Sequence, residues 1–161
     1  MKLLTLMLLL GAVLVAAVIL VGQLGYLRGT APGDLGVRDG RLKPPSSTPN
    51  SVSSQAELYP AHPQRTNAQI APFKFTGDGK VALQRLAQLL RVSPHIVVVK
   101  QQPSYVYARC ETELLRFTDD MEFFLDERAG VIQVRSASRI GSGDLGANRQ
   151  RVEALRALWG S

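Results

Sequence analysis

Hydrophobic and polar positions divide this chain into three regimes. From Leu3 to Leu24 no residue is charged, and only Thr5 and Gln23 are polar. The run is apolar on every side of a helix, as befits a helix surrounded by lipid rather than one packed along a single stripe. Its 22 residues reach roughly 33 Å at about 1.5 Å each, enough to cross a bilayer core.

A second regime, residues 26–72, is rich in Gly, Pro and Ser, as in Lys43-Pro44-Pro45-Ser46-Ser47-Thr48-Pro49-Asn50. Such a stretch buries too little apolar area to offset its ordering entropy. It is expected to be a flexible linker, with Val52, Leu58, Tyr59 and Ile70 as handles by which part of it could dock.

The third regime, residues 73–161, alternates between strand and helix periods. Phe73-Lys74-Phe75 reads as a short strand. Asp78 is placed to cap a helix from Gly79 to Arg91, with Ala82, Leu83, Leu86, Leu89 and Leu90 on one face. Ser93-Pro94 stops it. Strands follow at His95–Lys100 and Tyr105–Glu111, around a turn at Gln102-Pro103-Ser104.

Met121–Asp126 and Val131–Ser138 form a hairpin about Glu127-Arg128-Ala129-Gly130, with Gly130 in the left-handed position. The register pairs Phe123 with Val134, Leu125 with Ile132 and Met121 with Ser136 on an apolar face. Glu122 meets Arg135, and Phe124 meets Gln133, on the other. Asp144 then caps a helix to about Trp159, with Leu145, Val152, Leu155 and Trp159 as its buried stripe. The order β-α-β-β-β-β-α predicts an α+β domain: one antiparallel sheet of about five strands with two helices on one face.

The apolar run is read as an uncleaved anchor. Val15-Ala16-Ala17 resembles a cleavage site, but Val18-Ile19-Leu20-Val21 continues the run beyond the 7–15 residues of a signal core. Export after cleavage is the alternative. Arg28, Arg38, Arg41 and Lys43 follow the span, against Lys2 before it, which by the positive-inside rule favours a cytoplasmic domain. The shape of an export signal argues the other way. The expectation is a single-pass protein of a bacterial inner membrane with its C-terminal domain outside the cytoplasm.

Composition narrows the partners. The chain carries a net charge of +6. The basic residues are scattered, with no basic stripe interleaved with aromatics, so nucleic acid is not expected as a partner. A basic surface facing anionic lipid is the simpler reading. One cysteine excludes an intrachain disulfide, and one cysteine with two histidines makes no zinc-like cluster. No metal or cofactor is expected.

Three segments recur in a recognisable order: Phe117-Thr118-Asp119-Asp120-Met121-Glu122-Phe123, Gly130-Val131-Ile132-Gln133-Val134-Arg135-Ser136-Ala137-Ser138-Arg139, and Gly143-Asp144-Leu145-Gly146-Ala147-Asn148-Arg149-Gln150-Arg151-Val152-Glu153. With Pro49-Asn50-Ser51-Val52-Ser53-Ser54-Gln55, they resemble the bacterial and plastid family catalogued as domain of unknown function 1499. The resemblance spans roughly residues 43–159, with the family's N-terminal motif over 43–55. Family members often carry two cysteines where this chain has Pro45 and Ser51, so no role of those cysteines transfers. The resemblance implies a fold and its boundaries, not a chemistry.

Two clusters remain. Asp119, Asp120 and Glu122 are the acidic one. Paired carboxylates perform acid/base chemistry or hold a hard cation. On a strand, however, Asp119 and Asp120 point to opposite faces. Asp120, Glu122 and Arg135 are therefore read as structural ion-pair candidates. Arg135, Arg139, Asn148 and Arg149, with Ser136 and Ser138, are the basic-polar cluster, beside a Gly141–Asp144 turn that leads into a helix N-terminus. All four are candidates for an anion or lipid headgroup, although Arg149 could simply pair with Glu153 one turn on. Cys110 shares a strand face with Val106 and Ala108 and reads as a buried thiol. No catalytic set is complete. The chain is read as a membrane-tethered accessory domain meeting membrane lipid or a protein partner. The competing class is a hydrolase or metal-dependent enzyme using Asp119, Asp120 and Glu122.

Overall fold

The computed structural model describes residues 2–160. Helix α1 (Lys2–Gln23) leads to β1 (Ser51–Ser53), a 3-10 turn at Ala56–Leu58, and α2 (Arg65–Ala68). The remainder runs β2 (Phe73–Lys74), α3 (Gly79–Val92), β3 (Ile96–Gln102), β4 (Tyr105–Glu111), β5 (Thr118–Asp126), β6 (Val131–Ser138) and α4 (Ala147–Trp159). The sheet is antiparallel in the order β1-β6-β5-β4-β3, with β2 also paired to β6.

The hairpin register is the one the alternation predicts: Glu122 pairs with Arg135, Phe123 with Val134 and Leu125 with Ile132. That register sends Met121, Phe123, Leu125, Ile132 and Val134 to one face. There they join Val106 and Ala108 of β4, Leu83, Leu86 and Leu90 of α3, and Val152, Leu155 and Trp159 of α4 in the core. Asp78 caps α3 as expected, accepting from the N–H groups of Lys80 and Val81.

The segment read as a flexible linker behaves differently from its composition. From Leu42 onward it lies against the domain, and Leu42, Val52, Ala56, Ala68 and Ile70 are buried. Hydrogen bonds add to this burial. Leu42 N–H donates to Gln55 Oε1 (2.7 Å), and Tyr59 O–H donates to Leu42 O (2.6 Å). Ser46 N–H donates to Ser51 Oγ (2.8 Å), closing the loop that leads into β1. β1 is the sixth strand, missed because Ser51-Val52-Ser53 offers one apolar side chain and no readable alternation.

Two features near α4 also correct the sequence reading. The helix begins at Ala147 with Gly146 in the capping position, although the Asp144 carboxylate still accepts from Gly146 N–H (2.9 Å) and Asn148 N–H (3.0 Å). Leu145, expected in the buried stripe, has φ +52° and is fully exposed.

Helix α1 is long and apolar enough to cross a membrane, with a mean hydropathy of 3.0, a property that signal sequences share. Its side chains are exposed apart from the half-buried Ile19, and only Gly22 is buried. A Cβ on Gly22 would stand 2.7 Å from the Leu115 carbonyl oxygen, so only glycine admits this approach. Gln23 Nε2 donates to the carbonyls of Glu113 (3.1 Å) and Leu114 (3.0 Å), tying the end of α1 to the β4–β5 loop.

Candidate functional site

Strand alternation puts charge on the sheet face turned away from α3 and α4. β4 contributes Tyr105 and Tyr107, β5 contributes Asp120 and Glu122, and β6 contributes Arg135, with Arg139 just beyond its end. Residues 34–44 cross this face as a strap. Gly36 N–H donates to Glu122 Oε1 (2.7 Å), and Arg135 Nε donates to Pro44 O (3.1 Å).

Glu122 is 0% exposed and Arg135 4% exposed. Their closest approach is 3.6 Å, between Glu122 Oε2 and Arg135 Nη1. Tyr105 O–H adds a second hydrogen bond to Glu122 Oε1 (2.8 Å). Burial raises the Glu122 pKa above the usual carboxylate range, against the hydrogen bonds from Gly36 and Tyr105 and the charge of Arg135. Burial likewise lowers the pKa of Arg135. The pair is held more by neighbours than by its own contact.

Asp120 is gripped more firmly. Arg139 donates from Nε to Oδ2 (3.0 Å) and from Nη2 to Oδ1 (2.8 Å), while Tyr107 O–H donates to Oδ1 (2.6 Å). The Asp120 hydrogen bond holds the Arg139 pKa above its ordinary value. Burial, with the Asp120 hydrogen bond and charge, pushes the Tyr107 phenol up to about 12.

A separate polar network lies on the helix side. Asp119 accepts from Arg151 Nη2 (2.7 Å), a partner the sequence reading missed. The clue was there, since Arg151 lies one turn before Leu155 on the core-facing stripe of α4. Arg151 Nη1 also donates to Asn148 Oδ1 (3.1 Å). Asn148, fully buried, accepts from Ser136 Oγ–H (2.5 Å) and donates through Nδ2 to Asn50 O, Ser138 Oγ and Asp144 Oδ2.

The four anion-site candidates therefore do not share a site. Arg135 and Arg139 lie on the strap side with carboxylate partners. Asn148 lies inside the helix-side network. Arg149 faces another way, its Nη2 donating to Asn67 O (2.8 Å). Glu153, the expected partner of Arg149, instead meets Arg156 at 2.9 Å. The acidic cluster is likewise split, Asp119 from Asp120 and Glu122, across the sheet. Burial raises the pKa of the Cys110 thiol. Among the described residues, no three His, Cys, Asp or Glu side chains are grouped to hold a metal ion.

The open concavity on the strap side is a cleft of about 610 Å³ lined by Asp34, Arg38, Asp39, Arg41, Lys43 and Tyr59. It carries both signs of charge, with Lys43 Nζ on Asp34 Oδ1 at 2.7 Å. Leu42 and Pro44 add apolar wall to it, and it brings no nucleophile beside a base.

No curated protein and no solved structure matches the chain. A family model described as "Protein of unknown function (DUF1499)" matches residues 41–158, which takes in the strap's end, the whole sheet and both helices of the domain. The chain belongs to the DUF1499 family.

Proposed function

We propose that this protein is a membrane-anchored accessory domain that acts by binding rather than by catalysis, held outside the cytoplasm by α1. The observation that carries the reading is the state of the acidic cluster. Each carboxylate is buried with its own cationic partner: Asp119 with Arg151, Asp120 with Arg139, Glu122 with Arg135. A general base or cation ligand needs lone pairs that substrate or metal can reach. Here all but one of the carboxylate oxygens that face these cations are hydrogen-bonded to guanidinium, hydroxyl or backbone N–H groups, and the exception, Glu122 Oε2, is sealed from solvent with Arg135 Nη1 at 3.6 Å. The exposed apolar surface of α1 supports the anchor, and the cleft formed by the strap and Tyr59 offers charges of both signs to a partner.

The test has two arms. The full chain, with alkaline phosphatase fused after Ser161, is expected to resist carbonate extraction and to give an active fusion. A soluble product or an inactive fusion overturns the anchor or the orientation. The detergent-solubilised chain is then offered phosphate-ester, carboxylic-ester and glycoside substrates with and without divalent cations. Turnover that Glu122→Gln or Asp120→Asn abolishes while the fold survives overturns the non-catalytic reading.

A further inference from the structure

The end of α1 is joined to one particular end of the sheet. β4 finishes there, β5 begins there and β6 finishes there, so the β4–β5 loop (112–117) and the β6–α4 loop (139–146) lie together. Thr112 and Phe117 of the first line a shared cavity of about 210 Å³ with Ile140, Gly141, Gly143 and Asp144 of the second. Gly22 presses on Leu115, and Gln23 bonds the Glu113 and Leu114 carbonyls. The chain leaving α1 passes so close to the second loop that a Cβ on Gly29 would lie 2.7 Å from Ile140 Cγ2.

These loops present large apolar side chains to the outside. Leu114 is 58% exposed and Leu145 is 101% exposed, with Ile140 partly exposed between the loops. Leu145 holds φ +52°, a region costly for a bulky residue, and buries nothing within the chain. Charge sits beside them. Glu111 is shared by Arg28 (3.7 Å), Arg109 (3.7 Å) and Arg116 (3.6 Å), leaving a surplus of positive charge that Glu113 offsets only in part.

We infer that loops 112–117 and 139–146 form a membrane-contact surface, on which Leu114 and Leu145 enter the interface of the bilayer that holds α1 and the arginines around Glu111 meet lipid phosphate. The inference rests on the reading of α1 as an anchor. Its physical ground is continuity. A helix ending at Gln23 brings the residues bonded to Gln23 to headgroup level, where apolar tips flanked by arginine are stabilised. The opposite end of the sheet, at Glu127–Gly130, then stands off the membrane, because the nine residues of β5 extend about 30 Å at roughly 3.3 Å each.

The experiment uses the full chain with Cys110→Ala, reconstituted in phosphatidylcholine–phosphatidylglycerol vesicles. An environment-sensitive fluorophore is placed in turn on Val18→Cys, Leu114→Cys, Leu145→Cys and Ala129→Cys, and quenching by lipid-borne nitroxides is read. The expected order is strong quenching at Val18, clear quenching at Leu114 and Leu145, and none at Ala129. Quenching at Val18 with Leu114 or Leu145 as aqueous as Ala129 overturns the contact surface and leaves the anchor standing. Loss of quenching at Val18 itself overturns the anchor, and the inference with it. Probes at Leu114 and Leu145 that are dry yet unquenched, and that become wet on dilution of protein in lipid, show a second copy of the chain there and overturn the lipid contact.

Discussion

Arg139 closes on Asp120 with two parallel hydrogen bonds, Nε to Oδ2 at 3.0 Å and Nη2 to Oδ1 at 2.8 Å, although Asp120 lies on β5 and Arg139 just beyond the end of β6. This fork-to-fork geometry is the strongest form an arginine–carboxylate pair takes. Tyr107 touches both partners, its O–H on Asp120 and its oxygen accepting from Arg139 Nη2 at 3.1 Å. The trio locks the end of β6 to β4 and β5 on the face that the strap covers.

Removing either partner leaves the other charge buried and uncompensated. Asp120→Asn and Arg139→Gln are each expected to cost about 3–5 kcal/mol, read by chemical denaturation in detergent micelles. The double substitution is expected to cost clearly less than the two added together. Strict additivity would show that the pair is not a unit.

Asn148 and Arg149, adjacent in sequence, are expected to separate sharply. Asn148→Ala strips partners from the Ser136 and Ser138 hydroxyls, at about 1–3 kcal/mol for each group left unsatisfied. Arg149→Ala loses one exposed hydrogen bond to Asn67 O and is expected to change stability by no more than about 0.5 kcal/mol. Equal effects on the melting temperature would refute the assignment of Asn148 to the internal network.

Much of the domain was legible where hydrophobic period alone decides. Phe123, Leu125, Ile132 and Val134 alternate strictly, so the hairpin register and the Glu122–Arg135 pairing follow from the pattern. β1 was not legible. It is held by its ladder to β6 and by the hydrogen bond from Ser46 N–H to Ser51 Oγ, partners that proximity in three dimensions creates. The fate of the arginines was hidden for the same reason. Spacing put Arg149 one turn from Glu153, but Arg156 takes that carboxylate and also bonds the carbonyls of Ala71 and Pro72. Which guanidinium meets which carboxylate depends on the depth of each stem in the fold. Position along the helix does not reveal it.

Glu122 gives a pH signature. Burial holds its pKa above the usual 4.5, so the folded chain binds this proton more tightly than the unfolded one. Its contribution to stability is then complete below about pH 4.5 and declines as pH rises through the folded-state value. Glu122→Gln keeps an acceptor for Gly36 and Tyr105 but cannot ionise. The melting temperature of the variant relative to wild type is expected to climb between pH 4 and pH 7. A relative fall over that window would mean that Arg135 outweighs burial and that the pKa is depressed.

Gly22 decides whether α1 and the domain move as one. A methyl group there would stand 2.7 Å from the Leu115 carbonyl oxygen and 2.9 Å from its Cα, contacts with backbone that cannot swing aside. Gly22→Ala must push the β4–β5 loop away from the helix and part Gln23 from the carbonyls of Glu113 and Leu114. The helix itself should survive, since alanine favours helix over glycine by about 1 kcal/mol. The substitution therefore separates anchoring from docking. In the Cys110→Ala background, spin labels on Val18→Cys and Ala129→Cys report the span from α1 to the sheet tip. The distance distribution is expected to be narrow with Gly22 and broad with Gly22→Ala, while both chains remain resistant to carbonate. An equally narrow distribution in the variant would mean that the Leu115 contact does not hold the domain on α1.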